Sequence, residues 1–250
     1  MPNIGRFAPS PTGPLHPGSL VAAVGSYLHA RARGGQWLVR IEDVDEPRTV
    51  AGAASDILRA LEAHALFWDG PVLYQSTRKD AYRAALESLK QSGHAFPCAC
   101  SRRDLIDGAY PGTCRDGIAP GKQARSWRFR GEGDFILLRA DGYFAYQLAV
   151  VVDDAYQLIT DVVRGEDLLD STPGQIALQT ALRVPTPRYV HLPLVRDEQG
   201  EKLSKQTRAP AIVNSRVPQN LQAALAFLGI AVPPTDPRDM LTHAVMLSTR

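Results

Sequence analysis

Apolar residues recur along the chain at two spacings, which predict alternating strands and helices. Short runs rich in Val, Ile and Leu predict strands, and longer stretches with apolar residues three and four positions apart predict helices. The predicted strands cover 3–8, 36–41, 159–163 and 189–194, and the predicted helices cover 19–33, 49–66, 80–91 and 172–182. This alternation favours an α/β fold with a doubly wound parallel sheet, which binds ligands at the carboxyl ends of its strands.

Residues 94–142 interrupt this alternation. They hold the cysteines, several glycines and prolines, and two strand-like runs at 127–129 and 135–138, before the α/β pattern resumes at 146–153. A small insertion that divides a catalytic domain explains this arrangement. The expected domains are a first half at 1–93, an insertion at 94–142, a second half at 143–210 and a short helical C-terminal segment at 211–250.

Composition narrows the class of protein. Of the 250 residues, 44% are hydrophobic and the net charge is only +2, so charge alone is no evidence for or against a nucleic-acid partner. No apolar run reaches the roughly 18 residues of a membrane span, and no apolar leader follows Met1. We therefore expect a cytoplasmic monomer with no membrane partner. Three cysteines are a poor disulfide framework and fit a metal cluster in a reducing compartment.

A loop rich in proline and glycine ends in the motif His16-Pro17-Gly18-Ser19. Gly18 permits close backbone approach to a nucleotide, and the following helix offers free N–H groups to phosphate. His16 is positioned to donate a hydrogen bond to an α-phosphate as charge builds in a transition state. A surface histidine in a proline-rich loop is the alternative. Downstream, Lys202 and Lys205 in the segment Lys-Leu-Ser-Lys supply mobile positive charge, so the two loops together suit adenylyl transfer from ATP.

Four segments in order resemble the signatures of class I glutamyl- and glutaminyl-tRNA synthetases. They are Arg-Phe-Ala-Pro-Ser-Pro-Thr-Gly at 6–13, Arg-Ile-Glu-Asp-Val-Asp-Glu-Pro-Arg at 40–48, Val-Arg-Gly-Glu-Asp at 163–167 and Lys-Leu-Ser-Lys at 202–205. The resemblance covers most of the chain. It implies a class I synthetase catalytic domain of Rossmann type, with ATP and Mg²⁺ as substrate, and with His16, Gly18, Ser19 and Lys205 at the nucleotide.

Within that family the chain is most similar to the paralogous glutamyl-queuosine tRNA(Asp) synthetases, which lack the anticodon-binding domain. About 45 residues follow Lys205, too few for that domain. The motif Gly-Ser-Leu at 18–20, Val150 where tRNA-charging enzymes usually carry Asn, the segment Lys-Leu-Ser-Lys-Gln at 202–206 and the cysteines agree. The resemblance implies activation of L-glutamate without tRNA, then transfer of glutamate to queuosine in the anticodon loop of tRNA(Asp).

The resemblance also implies a glutamate pocket. Arg6 and Arg164 suit the two carboxylates, because guanidinium groups match carboxylate geometry. Glu42 suits the α-ammonium. The resemblance adds Ala8, Ser10 and Tyr146 as further contacts. The alternative for the charged segment around Glu42, including Arg40, Arg48 and the acidic residues 42–46, is a set of solvated charges paired with each other.

The three cysteines, Cys98, Cys100 and Cys114, lie close enough in sequence for a tetrahedral structural zinc site with one further donor. The resemblance implies one Zn²⁺ per chain and Tyr110 as the fourth ligand, with His94 or water as chemical alternatives. Three buried free cysteines are the other explanation. In the same insertion, the arginine-rich segment 125–130 is a candidate to hold RNA phosphates.

Other functions stay open at this point. One is a truncated glutamyl-tRNA synthetase that charges the 3′ end of tRNA, and another is an adenylyl-transfer enzyme outside the synthetases. A catalytically silent tRNA-binding relative is a third, although the intact His16, Gly18 and Lys205 argue against it.

Overall fold

The computed structural model describes residues 2–131, 133–196 and 211–249. The strands in that part of the chain are β1 (Ile4–Phe7), β2 (Gln36–Ile41), β3 (Leu73–Tyr74), β4 (Ala95–Cys98), β5 (Ser126–Phe129), β6 (Ile136–Leu138), β7 (Asp161–Gly165) and β8 (Arg188–Leu192). The helices are α1 (Pro17–Arg31), α2 (Ala53–Ala63), α3 (Lys79–Gln91), α4 (Tyr146–Tyr156), α5 (Thr172–Leu182), α6 (Val217–Phe227) and α7 (Pro237–Ser248).

The chain divides into two compact units, and the first contains the predicted parallel sheet. This unit comprises 1–74, 159–169 and 187–250. Its strands run parallel in the order β3-β2-β1-β7-β8. The α/β fold with a parallel sheet is therefore confirmed.

The core of the first unit joins the sheet to helices α1, α2, α6 and α7. Trp37 of β2 is completely buried, and its ring nitrogen donates to the Ser26 hydroxyl at 3.0 Å. The Tyr27 ring meets the Trp37 ring edge-on, with 5.2 Å between centroids. Helix α1 begins with proline, which suits the first helical position, and Gly34 at φ +63° turns the chain from α1 into β2.

The second unit comprises 75–158 and 170–186. It holds α3, α4, α5 and an antiparallel sheet in the order β4-β5-β6, which lies wholly within the predicted insertion. A buried carboxylate, Asp153, ties the unit together by accepting hydrogen bonds from Tyr82 at 2.5 Å, Gln75 at 3.1 Å and Arg78 at 3.0 Å. Three donors compensate the cost of burying this charge.

The observed boundaries differ from the predicted ones in places. The helix predicted over 49–66 is shorter, because Gly52 at φ +81° precedes its first turn. The stretch 146–153, for which the sequence analysis predicts no particular element, is part of helix α4, and strand β4 was not predicted. The boundaries of the two compact units do not coincide with those of the four expected domains. The four domains stay a prediction. Among the described residues, no helix has the length and hydrophobicity needed to cross a membrane.

Candidate active site and cysteine cluster

Three charged residues of the predicted glutamate pocket lie at one edge of the parallel sheet. Arg6 and Arg164 are the next-to-last residues of β1 and β7, and Glu42 directly follows β2. These strands are neighbours, so their carboxyl ends meet at the same edge. All three residues are buried: Arg6 is 4% exposed, Arg164 is 5% exposed and Glu42 is 9% exposed. Buried charges are rare outside binding sites and ion pairs, so this edge is suited to a charged ligand.

The environment of Arg40 corrects the alternative that the charges around Glu42 are solvated and paired with each other. Arg40 is completely buried, and its guanidinium donates to the Glu42 carboxylate at 3.2 Å. It is therefore paired, as that alternative held, but it is not solvated. Arg48 does fit the surface explanation, since it is 71% exposed and pairs with Asp45. The signal for Arg40 was its position two residues before Glu42, which puts both side chains on one face.

Arg164 rests on an aromatic side chain that sequence reasoning missed. The centre of its guanidinium lies 5.0 Å from the centroid of the Tyr189 ring, and the group also donates to the Leu168 carbonyl at 3.2 Å. The ring of His191, two residues along β8, stacks on Tyr189. Burial, with Arg164 next in importance, lowers the pKa of His191. The alternation Tyr-Val-His was the available signal, because it aims both rings to one side of the strand.

The remaining predicted contacts lie on two different units. Ala8 is half-buried and Ser10 is exposed, in the loop after β1. The backbone N–H of Glu42 donates to the Pro9 carbonyl at 2.9 Å, which ties this loop to the end of β2. Tyr146 is half-buried and is the first residue of α4 in the second unit.

His16 is the N-cap of helix α1. Its Nδ1 accepts a hydrogen bond from the Ser19 backbone N–H at 3.3 Å, so the proton of the neutral ring lies on Nε2. Gly18 and Ser19 lie in the first turn of the helix, where N–H groups point along its axis. The cap thus orients a donor and a helix N-terminus together, which is the arrangement that an anion requires.

A cavity of about 150 Å³ adjoins His16 in the first unit. It is lined on one side by His16, Gly18 and Ser19, and on the other by Gly165, Asp167 and residues 192–195 after β8. A Cβ at Gly165 would lie 2.4 Å from an Asp167 carboxylate oxygen, so a larger residue there would require the Asp167 side chain to move. The predicted residues of the first loop therefore line one concave space. Lys202 and Lys205 lie outside the described residues.

The three cysteines converge in the second unit. Their sulfur atoms all lie within 4.8 Å of one another, and the Cys100 and Cys114 sulfurs are 3.7 Å apart. Two thiolates on one tetrahedral zinc, each at about 2.3 Å, lie roughly 3.8 Å apart. Cys98 and Cys114 are buried, which shields the site from solvent. The cluster supplies three of the four donors of a structural zinc site, at a suitable spacing.

Tyr110 reaches this cluster with its hydroxyl. The oxygen accepts a hydrogen bond from the Cys114 backbone N–H at 2.7 Å, and burial is the main cause of its raised pKa. His94, the alternative fourth ligand, instead contacts the Ser92 hydroxyl at 3.0 Å and stacks on Phe129. Among the described residues, the grouping of possible metal ligands at this place contains no histidine. Tyr110 is therefore better placed than His94 to complete the site.

Arg128 contacts both the cysteine cluster and Tyr110, a role that the sequence analysis does not predict. Its Nε donates to the Cys98 sulfur at 3.3 Å, and the centre of its guanidinium lies 3.9 Å from the Tyr110 ring centroid. Burial alone raises the pKa of Cys98, but hydrogen bonds from the Cys100 backbone and from Arg128 outweigh it and lower the pKa. Burial and the neighbouring sulfurs raise the pKa of Cys100 to about 12. Cys98 is thus more readily ionised than Cys100.

Comparison with known proteins identifies relatives over most of the chain. Residues 4–109 and 106–228 match the family described as class I tRNA synthetases (E and Q), catalytic domain. A glutamyl-Q tRNA(Asp) synthetase of Dechloromonas aromatica is 57% identical over 93% of this chain and 88% of its own length. One from Chromobacterium violaceum is 55% identical over 93% of this chain and 88% of its own length.

Solved structures show the same fold. The glutamate–tRNA synthetase of Elizabethkingia anophelis matches 82% of this chain with a TM-score of 0.69 and 28% identity. The match covers 53% of that synthetase, so the chain spans about half its length. The resemblance that the sequence motifs indicated is confirmed by both comparisons. The chain belongs to the class I tRNA synthetases for glutamate and glutamine, and it is an ATP-dependent ligase of that family.

Proposed function

We propose that the protein activates L-glutamate with ATP in the absence of tRNA, and then transfers the glutamyl group to queuosine in the anticodon loop of tRNA(Asp). The observation that carries the first half is the set of buried charged side chains at the carboxyl edge of the parallel sheet. The names of the relatives, glutamyl-Q tRNA(Asp) synthetases, support the second half.

Glutamate carries two carboxylates and one ammonium, and the buried edge has matching groups. Arg6 and Arg164 bind the carboxylates in this proposal, and Glu42, held by Arg40, faces the ammonium. The Tyr189 ring beneath Arg164 restricts the orientation of the guanidinium. A glutamate tRNA ligase of Elizabethkingia meningosepticum, 27% identical to this chain, is described in complex with its amino acid.

The first step is an in-line attack of a glutamate α-carboxylate oxygen on the α-phosphorus of ATP. The new P–O bond forms as the bond to pyrophosphate breaks, and pyrophosphate leaves. Mg²⁺ bound to the nucleotide would neutralise negative charge on the leaving phosphates. His16 donates its Nε2–H to an α-phosphate oxygen, and the N-terminus of α1 stabilises the added negative charge. We assign Lys202 and Lys205 to the leaving phosphates. Each group acts by position and charge, and none forms a covalent intermediate.

In the second step a hydroxyl of the cyclopentene diol of queuosine attacks the carbonyl carbon of glutamyl-adenylate. The ester bond forms, AMP leaves with the electrons of the anhydride bond, and the hydroxyl proton passes to solvent or to the phosphate. The cysteine cluster takes no part in either chemical step of this scheme. Zinc held by Cys98, Cys100, Cys114 and Tyr110 would fix the local fold of the insertion.

The acceptor assay tests the proposal. Purified protein is incubated with ATP, labelled glutamate and tRNA(Asp) that carries or lacks queuosine, and the 3′-terminal adenosine is then removed. We expect label only on the queuosine-containing tRNA, and we expect it to stay after removal of the adenosine. Label that needs no queuosine, or that leaves with the adenosine, would identify a shortened glutamyl-tRNA synthetase instead.

A further inference from the structure

We propose that an arginine-lined cavity of the second unit binds backbone phosphates of the RNA substrate; this rests on the proposed function, in which the acceptor is a tRNA. The cavity has a volume of about 610 Å³. Its charged lining is Arg102, Arg125, Arg128 and Arg139, against a single carboxylate, Asp141. We call it the arginine cavity. An excess of guanidinium groups around one concave space selects an anion.

Two of these arginines are available to a ligand. Arg102 and Arg125 are exposed, and neither guanidinium has a hydrogen bond or ion pair with any residue that the structure describes. Asp104 lies within electrostatic range of Arg125, but its carboxylate accepts hydrogen bonds at 2.7 Å from the backbone and the hydroxyl of Ser101. Arg139 forms an ion pair at 2.5 Å with Asp141, the one carboxylate of the lining.

The arginine-rich segment 125–130 therefore divides into two roles. Arg128 lines the cavity but is only 6% exposed, and its hydrogen bonds go to the Cys98 sulfur and the Asp134 carbonyl. Arg130 donates to the Arg115 carbonyl at 2.6 Å. These two side chains support the fold of the insertion. Of the segment's three arginines, Arg125 is the one that offers an exposed guanidinium to RNA.

The spread of the arginines favours a phosphodiester chain over one compact anion. Arg102 follows β4, Arg125 precedes β5 and Arg139 follows β6, so three separate segments bring charge to the cavity. A volume of about 610 Å³ is far larger than one phosphate group needs. One guanidinium group can donate two hydrogen bonds to the oxygens of one phosphate. Consecutive phosphates of RNA present such oxygens at regular intervals. Such contacts position the RNA without reading its sequence.

The test measures binding of fluorescent, queuosine-containing tRNA(Asp) over a range of salt concentrations. The variant is Arg102→Ala/Arg125→Ala, and the control is Arg59→Ala/Arg83→Ala, which removes two exposed arginines from helices α2 and α3. We expect the cavity variant to bind tRNA at least about tenfold more weakly at roughly 0.1 M salt. The slope of log K against log salt should fall by about 1 to 2, since each lost phosphate contact removes about 0.7 to 0.9.

Two further measurements separate the possible outcomes. Glutamate-dependent ATP–pyrophosphate exchange without RNA reports whether each variant is folded and competent for activation. Tripolyphosphate is the probe for a small polyanion. The proposal is overturned if the cavity variant binds tRNA like the control, even when it loses tripolyphosphate binding. In another outcome, the cavity variant weakens binding of tRNA(Asp) equally with and without queuosine, while no label reaches queuosine in the acceptor assay. That result would support the proposal for the arginine cavity and contradict the proposed acceptor.

Discussion

Single side chains at the end of a strand or helix carry the chemistry assigned to this protein. His16 shows why a local contact matters, because one ring nitrogen caps α1 and thereby leaves the other as the donor. Arg164, to which we assign substrate choice, lies against Tyr189 of the next strand, and this ring limits where its guanidinium can point. At this scale a well-chosen substitution separates an effect on activity from an effect on stability.

Replacing His16 separates its two roles. Asn is a good N-cap and retains an acceptor for the Ser19 N–H, but it does not place a donor where Nε2–H lies. We expect His16→Asn and His16→Ala both to slow glutamate-dependent ATP–pyrophosphate exchange on the order of 10²-fold. Only His16→Ala should also lower thermal stability. His243→Ala, which alters an exposed histidine of α7, is the control, and wild-type exchange in His16→Asn would contradict the role.

Replacing Arg164 tests discrimination between glutamate and glutamine. An amide cannot form the charge-assisted bidentate contact that a γ-carboxylate forms, and it leaves the buried cation poorly paired. Arg164→Ala should therefore reduce kcat/KM for glutamate strongly and narrow its ratio to that for glutamine. Exchange kinetics with both amino acids measure this, with Arg59→Ala as the control. An unchanged ratio would transfer the role to Arg6.

At the scale of elements, the ends of helices and the loops between strands are held by polar contacts that the core alone does not provide. His64 ends helix α2 in complete burial, with Nδ1 donating to the Ala60 carbonyl at 2.7 Å and Nε2 accepting from Asn220 of α6 at 3.2 Å. The cysteine cluster does the same for the loops of the insertion. Both arrangements predict how a whole element responds to solvent conditions.

Acid should weaken the α2–α6 contact through His64. Burial lowers the pKa of His64 below its ordinary value of 6.5, although the hydrogen bond to Ala60 opposes this. The unfolded chain therefore binds a proton more readily, so the stability of the neutral form is present above pH 6.5 and is lost as pH falls below it. We expect the free energy of unfolding to fall more steeply between pH 7 and 5 in wild type than in His64→Gln. Parallel pH profiles would contradict this.

Removing metal should loosen the insertion before the parallel sheet. We expect about one zinc per chain in protein purified without added zinc, measured by elemental analysis. Chelation should then speed hydrogen exchange in residues 94–114 more than in β1 and β2, because metal-binding energy there is local folding energy. Cys98→Ser should behave like chelated protein. Folded, active protein with less than about a tenth of an equivalent of zinc would remove the zinc assignment.

For the whole molecule, the parallel sheet and its loops contain the groups that we assign to amino-acid activation. The described residues bring Arg6, Glu42 and Arg164 to one edge, and they place His16 and Gly18 beside a cavity in the same unit. Activation should therefore need no help from RNA. In the proposed function, this step uses only the sheet edge and the nucleotide loops.

The expected result is ATP–pyrophosphate exchange that depends on glutamate and proceeds with no tRNA present. Glutamine and aspartate should support it poorly, because each lacks a γ-carboxylate at the right distance. Treating the protein with nuclease before the assay removes any RNA that was carried through purification. Exchange that appears only after tRNA is added would show that the buried edge is completed by RNA, and it would contradict this prediction.

Much of the fold was predictable because local pattern and global architecture agree. The strands 36–41 and 189–194 and the helix 172–182 were identified from apolar spacing and punctuation by glycine or proline, and the sheet they imply is observed. Strand β4 was not, because its Ala-Phe-Pro-Cys sequence has no clear alternation, and it is a strand through pairing with β5. Pairing partners distant in sequence leave little local signal.

The sequence by itself determined the order of motifs, the family and the kinds of side chain available for chemistry. Only the tertiary structure decided their surroundings. It buried Arg40 against Glu42, set Tyr189 under Arg164, turned the Tyr110 hydroxyl to the cysteines, and divided the arginines of 125–130 between support and surface. The physical reason is that the local spacing of apolar residues is enough to predict helices, strands and motifs. Burial, ion pairing and pKa depend instead on neighbours that long-range strand pairing supplies.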